Sequence, residues 1–383
     1  MNVPKLRFKE FTDEWNYTCL SEISAEITYG MNSASTEFDG LNKYIRITDI
    51  DDETGNFKPS NLVSPLNKPE DKFLVKKDDI LFARTGASTG KTYLYNIKDG
   101  KLYFAGFLIK AHIVNHNSNF IFQQTKLEKY KKWVKLTSMR SGQPGINSEE
   151  YGKCVFSITS LSEENKIAQF LSLLDKKIEL QTKKIEALKL FKKGLNQRMF
   201  SKIGKMKSIS QYVEEYINKT IVNNQYPILS STFNGIVIQN EYFNKQAASS
   251  KNIGYKIVPR NYITYRSMSD TGEFHFNIQD KVDIGIVSPA YPVFRINNIN
   301  ANYFLNYINE SYDFKMQIIS IKEGGTRYAL GFNKFKKLKI KIIDDDEFYG
   351  DFIKKLNEYL LLEDKKLDDL NKLKKGLLQN MFV

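Results

Sequence analysis

The sequence predicts an α+β chain in which two similar, strand-rich mixed domains are separated by two long helices forming an antiparallel coiled coil. Three observations lead there. Shifted against itself by 182 residues, the chain keeps matching: Leu188-Lys189-Leu190-Phe191-Lys192-Lys193-Gly194-Leu195 falls on Leu370-Asn371-Lys372-Leu373-Lys374-Lys375-Gly376-Leu377, with Tyr44 on Tyr226, Arg84 on Arg266 and Gly142 on Gly324. Two stretches carry an apolar seam at steps of three and four over four heptads or more. The segments before them gather Tyr, Ile, Val and Phe into short runs separated by Gly, Asn, Asp and Ser.

The first domain, residues 1–160, offers strands at Tyr44-Ile45-Arg46-Ile47, Ile80-Leu81-Phe82-Ala83 and Leu108-Ile109-Lys110-Ala111-His112-Ile113. The first long helix is expected over 161–205. Its seam runs through Ile167, Leu171, Leu174, Ile178, Ile185, Leu188, Leu195 and Met199, interrupted at Gln181 and Lys192. Ser160-Leu161-Ser162-Glu163 reads as a capping box at its start. The second domain, 206–345, offers Tyr262-Ile263-Thr264-Tyr265, Ile284-Gly285-Ile286-Val287 and Leu338-Lys339-Ile340-Lys341-Ile342-Ile343.

The second long helix, 346–383, carries Tyr349, Ile353, Leu356, Leu360, Leu367, Leu370, Leu377 and Met381, interrupted at Glu363 and Lys374. The interruptions are therefore duplicated with the seam. Asp344-Asp345-Asp346-Glu347 places acids where the positive end of the helix dipole favours them. At 1.5 Å per residue each helix would be about 55 Å long. So long and narrow a seam suits a helix partner, and a pair within one chain most simply packs antiparallel. The plainer reading packs each amphipathic helix on its own domain.

A chain of 383 residues, 41% hydrophobic, can fill two cores. It holds no apolar run of membrane-spanning length and opens without an apolar signal core. Cys19 and Cys154 form neither a disulfide framework nor a metal spacing, so a cytoplasmic location is expected. The net charge of +13 and pI near 9.3 favour a polyanionic partner. Lysine is abundant and arginine scarce: only Arg7, Arg46, Arg84, Arg140, Arg198, Arg260, Arg266, Arg295 and Arg327. Where lysine is the default base, an arginine is more often needed for its planar fork.

Thr85-Gly86-Ala87-Ser88-Thr89-Gly90-Lys91-Thr92 resembles a phosphate-binding loop but lacks its first glycine, and Tyr93-Leu94-Tyr95-Asn96 does not begin a convincing helix. A loop of exposed amides and hydroxyls beside Arg84 and Lys91 is the expectation that survives. His112, His116 and His275 lack partners at metal spacing, and Asp270, Glu273 and Asp280 read as loop charges rather than a nuclease cluster. Two further loops fit nucleic-acid contact: Ser138-Met139-Arg140-Ser141-Gly142-Gln143-Pro144-Gly145-Ile146-Asn147 and Ile321-Lys322-Glu323-Gly324-Gly325-Thr326-Arg327-Tyr328. Their glycines allow close approach, and their side chains supply donors for phosphates and base edges. The candidate DNA-contacting residues are Arg46, Thr48, Arg84, Thr85, Ser88, Lys91, Arg140, Ser141 and Gln143 in the first half, and Arg266, Ser267, Ser269, Gly325, Thr326, Arg327 and Tyr328 in the second.

At these residues the chain resembles the DNA specificity subunit of a Type I restriction–modification system. The resemblance is carried by Pro4-Lys5-Leu6-Arg7-Phe8 with Trp15, by Asp79-Ile80-Leu81-Phe82-Ala83-Arg84-Thr85-Gly86-Ala87-Ser88, by Ser288-Pro289-Ala290-Tyr291-Pro292-Val293-Phe294-Arg295, and by the two Lys-Lys-Gly-Leu-x-Gln-x-Met-Phe helix ends. It implies a non-catalytic chain whose two target recognition domains each read half of a bipartite, asymmetric double-stranded DNA site, with the helices as spacer. It further implies two methyltransferase subunits and ATP-dependent restriction subunits as partners, which would carry S-adenosylmethionine, ATP and Mg²⁺, with no cofactor in this chain. One departure is visible: Arg84-Thr85-Gly86 becomes Arg266-Ser267-Met268-Ser269 in the second half. A coiled-coil adaptor that reads no DNA, or an enzyme acting on DNA through motifs not apparent here, are the alternatives.

Overall fold

The structure, a computed structural model, describes residues 3–239, 251–321 and 327–383. The chain divides into two compact units, residues 1–181 with 366–383 and residues 182–365.

The first unit is built on a four-stranded antiparallel sheet in the order Ser24–Tyr29, Leu108–Ile113, Asp79–Ala83, Thr92–Leu94. Asp79–Ala83 is buried along its whole length, which is why it reads as a continuous apolar run. Side chains alternate across the sheet: Ile80 and Phe82 join Trp15, Phe120 and Tyr151 on one side, and Leu81 and Ala83 join Ile45, Tyr93 and Phe104 on the other. Helices Ser118–Gln124 and Glu128–Thr137 follow the sheet, and the short pair Asn16–Cys19 with Val155–Ile158 leads into the long helix Leu161–Ser201.

The second unit repeats this plan. Its sheet runs Val213–Glu215, Val293–Ile296, Ile263–Tyr265, Phe276–Ile278, so first, last and middle strands take the same places. Helices Ala301–Glu310 and Tyr312–Ile321 follow, then the pair Lys205–Ser208 with Lys339–Ile342, then the long helix Asp346–Met381. Two expected strands fall on observed ones to the residue, Leu108–Ile113 and Ile284–Val287. At Tyr44 the strand Lys43–Ile45 ends two residues sooner, because Arg46 and Asp49 close a 3-10 turn there.

Within each unit the two long helices meet antiparallel. In the second, Lys184 pairs with Glu363 at 3.2 Å, the Phe191 and Phe352 rings lie 6.3 Å apart, and Lys202 pairs with Asp345 at 2.5 Å. Partner numbers fall as chain numbers rise. In the first, Lys374 pairs with Asp175 at 2.5 Å, while Ile167, Ala168 and Leu171 share a cluster with Leu378, Met381 and Phe382. Two of the seam's polar interruptions, Glu363 and Lys374, thus meet opposite charges on the facing helix. The helices also pack on the domains: Met199 and Tyr349 lie in the second unit's aromatic core. The seam-only and domain-only readings are therefore both incomplete.

Each long helix starts on an anchor that recurs. In the first unit the backbone N–H of Asn117 donates to Glu164 at 2.9 Å, and in the second that of Asn300 donates to Asp346 at 2.9 Å. Both asparagines cap the next helix, accepting from Phe120 and from Tyr303 respectively. Gly350 makes the second anchor possible, since a Cβ there would lie 2.0 Å from Asn300 Oδ1.

Only half of the expected capping box forms. The Glu163 N–H reaches Ser160 Oγ at 3.4 Å, but the Glu163 carboxylate turns away. It accepts from Arg7 Nε (2.7 Å) and Nη2 (2.8 Å), Trp15 Nε1 (3.2 Å) and Thr159 Oγ1 (2.6 Å). Such a charge is buried only when it is paired and fully hydrogen-bonded, and this one is both. The same pairing raises the Arg7 guanidinium further above its ordinary value.

Candidate nucleic-acid interface

In both units the loop leaving the third strand meets the loop that precedes the last strand. In the first, Gly86 N–H donates to Pro144 O at 2.9 Å, Ile146 N–H donates to Arg84 O at 2.9 Å, and Thr85 bridges Gly145. Tyr151 Oη anchors the pair from below, donating to Ala83 O at 2.6 Å. In the second, Met268–Ser269 pairs antiparallel with Tyr328–Ala329, and Leu330 N–H donates to Ser267 O at 2.9 Å. Tyr265 Oη donates to Leu330 O at 3.0 Å.

The first unit thereby brings Arg84, Thr85, Ser88 and Lys91 beside Arg140, Ser141 and Gln143. Arg84 stacks on the Tyr29 ring, 4.7 Å from its centroid, and reaches Gly106 O at 3.4 Å. Tyr29 Oη in turn accepts from the Ser148 N–H at 3.0 Å. Burial pushes the Tyr29 phenol up, but the Ser148 hydrogen bonds and the Arg84 charge outweigh it, and the net shift is downward. Arg140 is exposed, held by Glu150 and by Thr137 O at 3.1 Å. Lys91 pairs with Asp52. Arg46 belongs to a different local structure: it grips the buried Asp49 through Nε and Nη2, both at 2.9 Å, with Thr48 exposed on the same turn.

The phosphate-loop resemblance dissolves in the geometry. The N–H groups of Gly86, Thr89, Gly90 and Lys91 donate to Pro144, Gly86, Ala83 and Ser88 carbonyls, so the expected exposed amides are already satisfied. A strand, Thr92–Leu94, follows where a phosphate loop needs a helix. Gly90 sits at φ +90°, and a Cβ there would meet Val134 at 2.5 Å. Its glycine serves the turn and the close helix, not a nucleotide. The hydroxyl of Thr89 is likewise turned inward, donating to Gly86 O at 2.7 Å.

In the second unit Arg266, Ser267 and Ser269 stand with Arg327 and Tyr328, while Gly325 and Thr326 lie outside the described residues. Arg327 Nε donates to Asp270 Oδ1 at 2.9 Å, and Arg266 Nη2 lies 4.0 Å from Asp270 Oδ2. Ser267 Oγ is turned inward to Ala290 O at 2.7 Å, and Ser269 Oγ lies 3.2 Å from Thr271 Oγ1. The carboxylates Glu150 and Asp270 and the ring of Tyr29 were not legible as partners of these arginines, because each meets its arginine only through the fold. Among the described residues no His, Cys, Asp and Glu group could hold a metal ion: His112 faces Asp79 at 2.7 Å and His116 faces Glu164 at 2.9 Å. Nor is any described helix long and apolar enough to cross a membrane.

Exposed guanidinium groups and hydroxyls on paired loops, borne by a rigid sheet, suit phosphate oxygens and guanine edges. Comparison with known proteins points the same way. Residues 12–190 match the Type I restriction modification DNA specificity domain. Among solved structures the chain is similar to the S subunit of the Type-I restriction-modification system from M. genitalium, at 14% identity and TM-score 0.64, covering 100% of this chain and 99% of that one. It is also similar to the HsdS subunit from Thermoanaerobacter tengcongensis, at 10% identity and TM-score 0.43 over 96% of each chain. A third, from work on complex assembly and conformational transition of the type I R-M system, shares 11% identity at TM-score 0.49, over 96% of this chain and 97% of that one. Residues 12–190 thus carry a Type I restriction modification DNA specificity domain, the same strand order repeats in the second unit, and the whole chain shares the fold of the M. genitalium S subunit.

Proposed function

We propose that each unit reads one half of a bipartite, asymmetric site in double-stranded DNA, and that the long helices set the gap between the halves. The observation that carries this reading is the duplicated loop pair: two copies of one scaffold present Arg84 and Arg266 at matching places but with different neighbours. Different neighbours on one scaffold suit two different half-sites. Lysine-rich surfaces supply sequence-independent attraction to phosphates, and Arg84, Arg140, Arg266 and Arg327 with nearby hydroxyls read bases or fix register.

The chain would work in the cytoplasm, docked to two methyltransferase subunits and to ATP-dependent restriction subunits. S-adenosylmethionine, ATP and Mg²⁺ would belong to those partners, with no cofactor held here. Exposed apolar residues on the long helices, among them Leu173, Leu190, Phe348 and Leu361, are what a scaffold for other helical subunits would need.

Arg327→Ala is the test. A bidentate arginine–guanine contact contributes on the order of 1–3 kcal/mol of discrimination. The expected result is relaxed preference at one half-site with the other unchanged, measured by competition binding against single-base variants of the site. Equal weakening on every sequence would make Arg327 a phosphate contact only.

A further inference from the structure

The two loop pairs differ in one respect that bears on specificity. In the second unit the ladder registers Met268 with Ala329 and Ser269 with Tyr328. Continued by one step, it places Asp270 directly across from Arg327. Their pairing at 2.9 Å is therefore set by backbone register as well as by side-chain reach. The other carboxylate oxygen of Asp270 faces Arg266 at 4.0 Å, so one acid stands between the two arginines of this unit's reading surface. All three side chains are more than half exposed, so none is needed to fill the core.

The first unit provides an internal control. There Thr85 bridges Gly145, and the chain then turns away through the 3-10 helix Gly86–Ser88, where a residue across from the facing loop would otherwise stand. No acid occupies that cross-strand place, and Arg84 lies instead on the neutral ring of Tyr29.

We propose that Asp270 is a specificity-determining residue that acts through Arg266 and Arg327 by competing with DNA phosphate for them. The proposal rests on the reading of these arginines as DNA contacts. In free protein their charge is partly neutralised. A phosphate at an arbitrary sequence must displace Asp270 and bear its repulsion, for a new ion pair little better than the one it breaks. The matching half-site offers a planar, bidentate partner and overcomes the same competition. The acid thus lowers binding to wrong sequences more than to the right one, which is how an unfavourable charge raises selectivity. In the first unit Glu150 holds Arg140 alone, and no acid stands between two arginines as Asp270 does.

Asp270→Asn, isosteric and exposed, tests it in the full chain within the complex it forms in its host. Binding would be measured to DNA carrying the matching site and to DNA without it, across a range of salt. The expected result is tighter binding to non-matching DNA, by up to about fivefold for each arginine released at low salt. Its log–log salt dependence should steepen by roughly 0.9 for each additional phosphate neutralised. Affinity for the matching site should rise less, so the ratio falls. The effect should vanish when Arg266 and Arg327 are both already alanine. An unchanged ratio overturns the proposal. So does a loss of matching-site affinity at a single base pair, which would make Asp270 a base reader. So does an effect that persists without the arginines. A wild-type complex with no sequence preference would sink the underlying reading, and that is seen before any variant is compared.

Discussion

Exchanging residues 206–345 for the corresponding segment of a Type I specificity subunit will, on the proposed reading, change one half of the recognised sequence and leave the other half as it was. The segment contains Arg266, Ser267, Asp270 and Arg327, and its core closes mostly on itself through Tyr265, Phe276, Phe294, Phe314 and Phe335. Among the described residues Met199, Leu195, Phe200 and Tyr349 enter that core from the long helices, so an exchanged segment must keep these contacts and those of Asn300 with Asp346 and of Asn306 with Asn196. Each good base contact discriminates by about 1–3 kcal/mol. Several together amount to a full change of half-site, readable in competition binding or in the positions methylated by the assembled complex. A change in both halves would show that the units do not read independently.

Glu163→Ala will destabilise the first unit more than substitutions at its exposed helix positions. Removing the carboxylate strands the Arg7 charge, the Trp15 indole N–H and the Thr159 hydroxyl together, in a place where Glu163 is 0% exposed. Breaking a buried ion pair by deleting one partner costs about 3–5 kcal/mol. Glu163→Gln, which keeps the shape and one acceptor, should cost less. Chemical unfolding monitored by tryptophan fluorescence reports on this directly, because both Trp15 and Trp133 lie in the first unit. A loss below about 1 kcal/mol for the alanine variant would mean that the pair only offsets its own desolvation. The network also explains why Pro4-Lys5-Leu6-Arg7-Phe8 and Trp15 belong together: they fasten the N-terminal segment to the start of the long helix, where Phe8 also packs edge-on against Phe170 at 5.9 Å.

The repeat, the long helices and the buried strands could be read in the sequence because each rests on periodicity. Ile80–Ala83 and Ile284–Val287 are apolar runs bounded by turn residues, and the heptad defects at Glu363 and Lys374 marked where charges cross the seam. The short helices within the two domains were not legible. Ser118–Gln124 is buried on nearly every side, so Phe120, Ile121 and Phe122 form an unbroken run that looks like strand. The joining of Arg84 to the 138–147 loop, and of Arg266 to Arg327, depends on segments some sixty residues apart in sequence meeting in the fold. The recurrence of both loops at the 182-residue shift was the only trace of that pairing in the chain. The role of Asp270 was hidden for the same reason: as a letter between Ser269 and Thr271 it is an ordinary loop acid, and only the register makes it the neighbour of Arg327.

If two similar heads read two separate half-sites, the positions methylated in the DNA of cells with and without this chain will record it. The expected outcome is a motif that depends on the chain and consists of two unlike specified runs separated by a gap of constant length and free sequence. A single uninterrupted motif, or a methylation pattern indifferent to the chain, would contradict it.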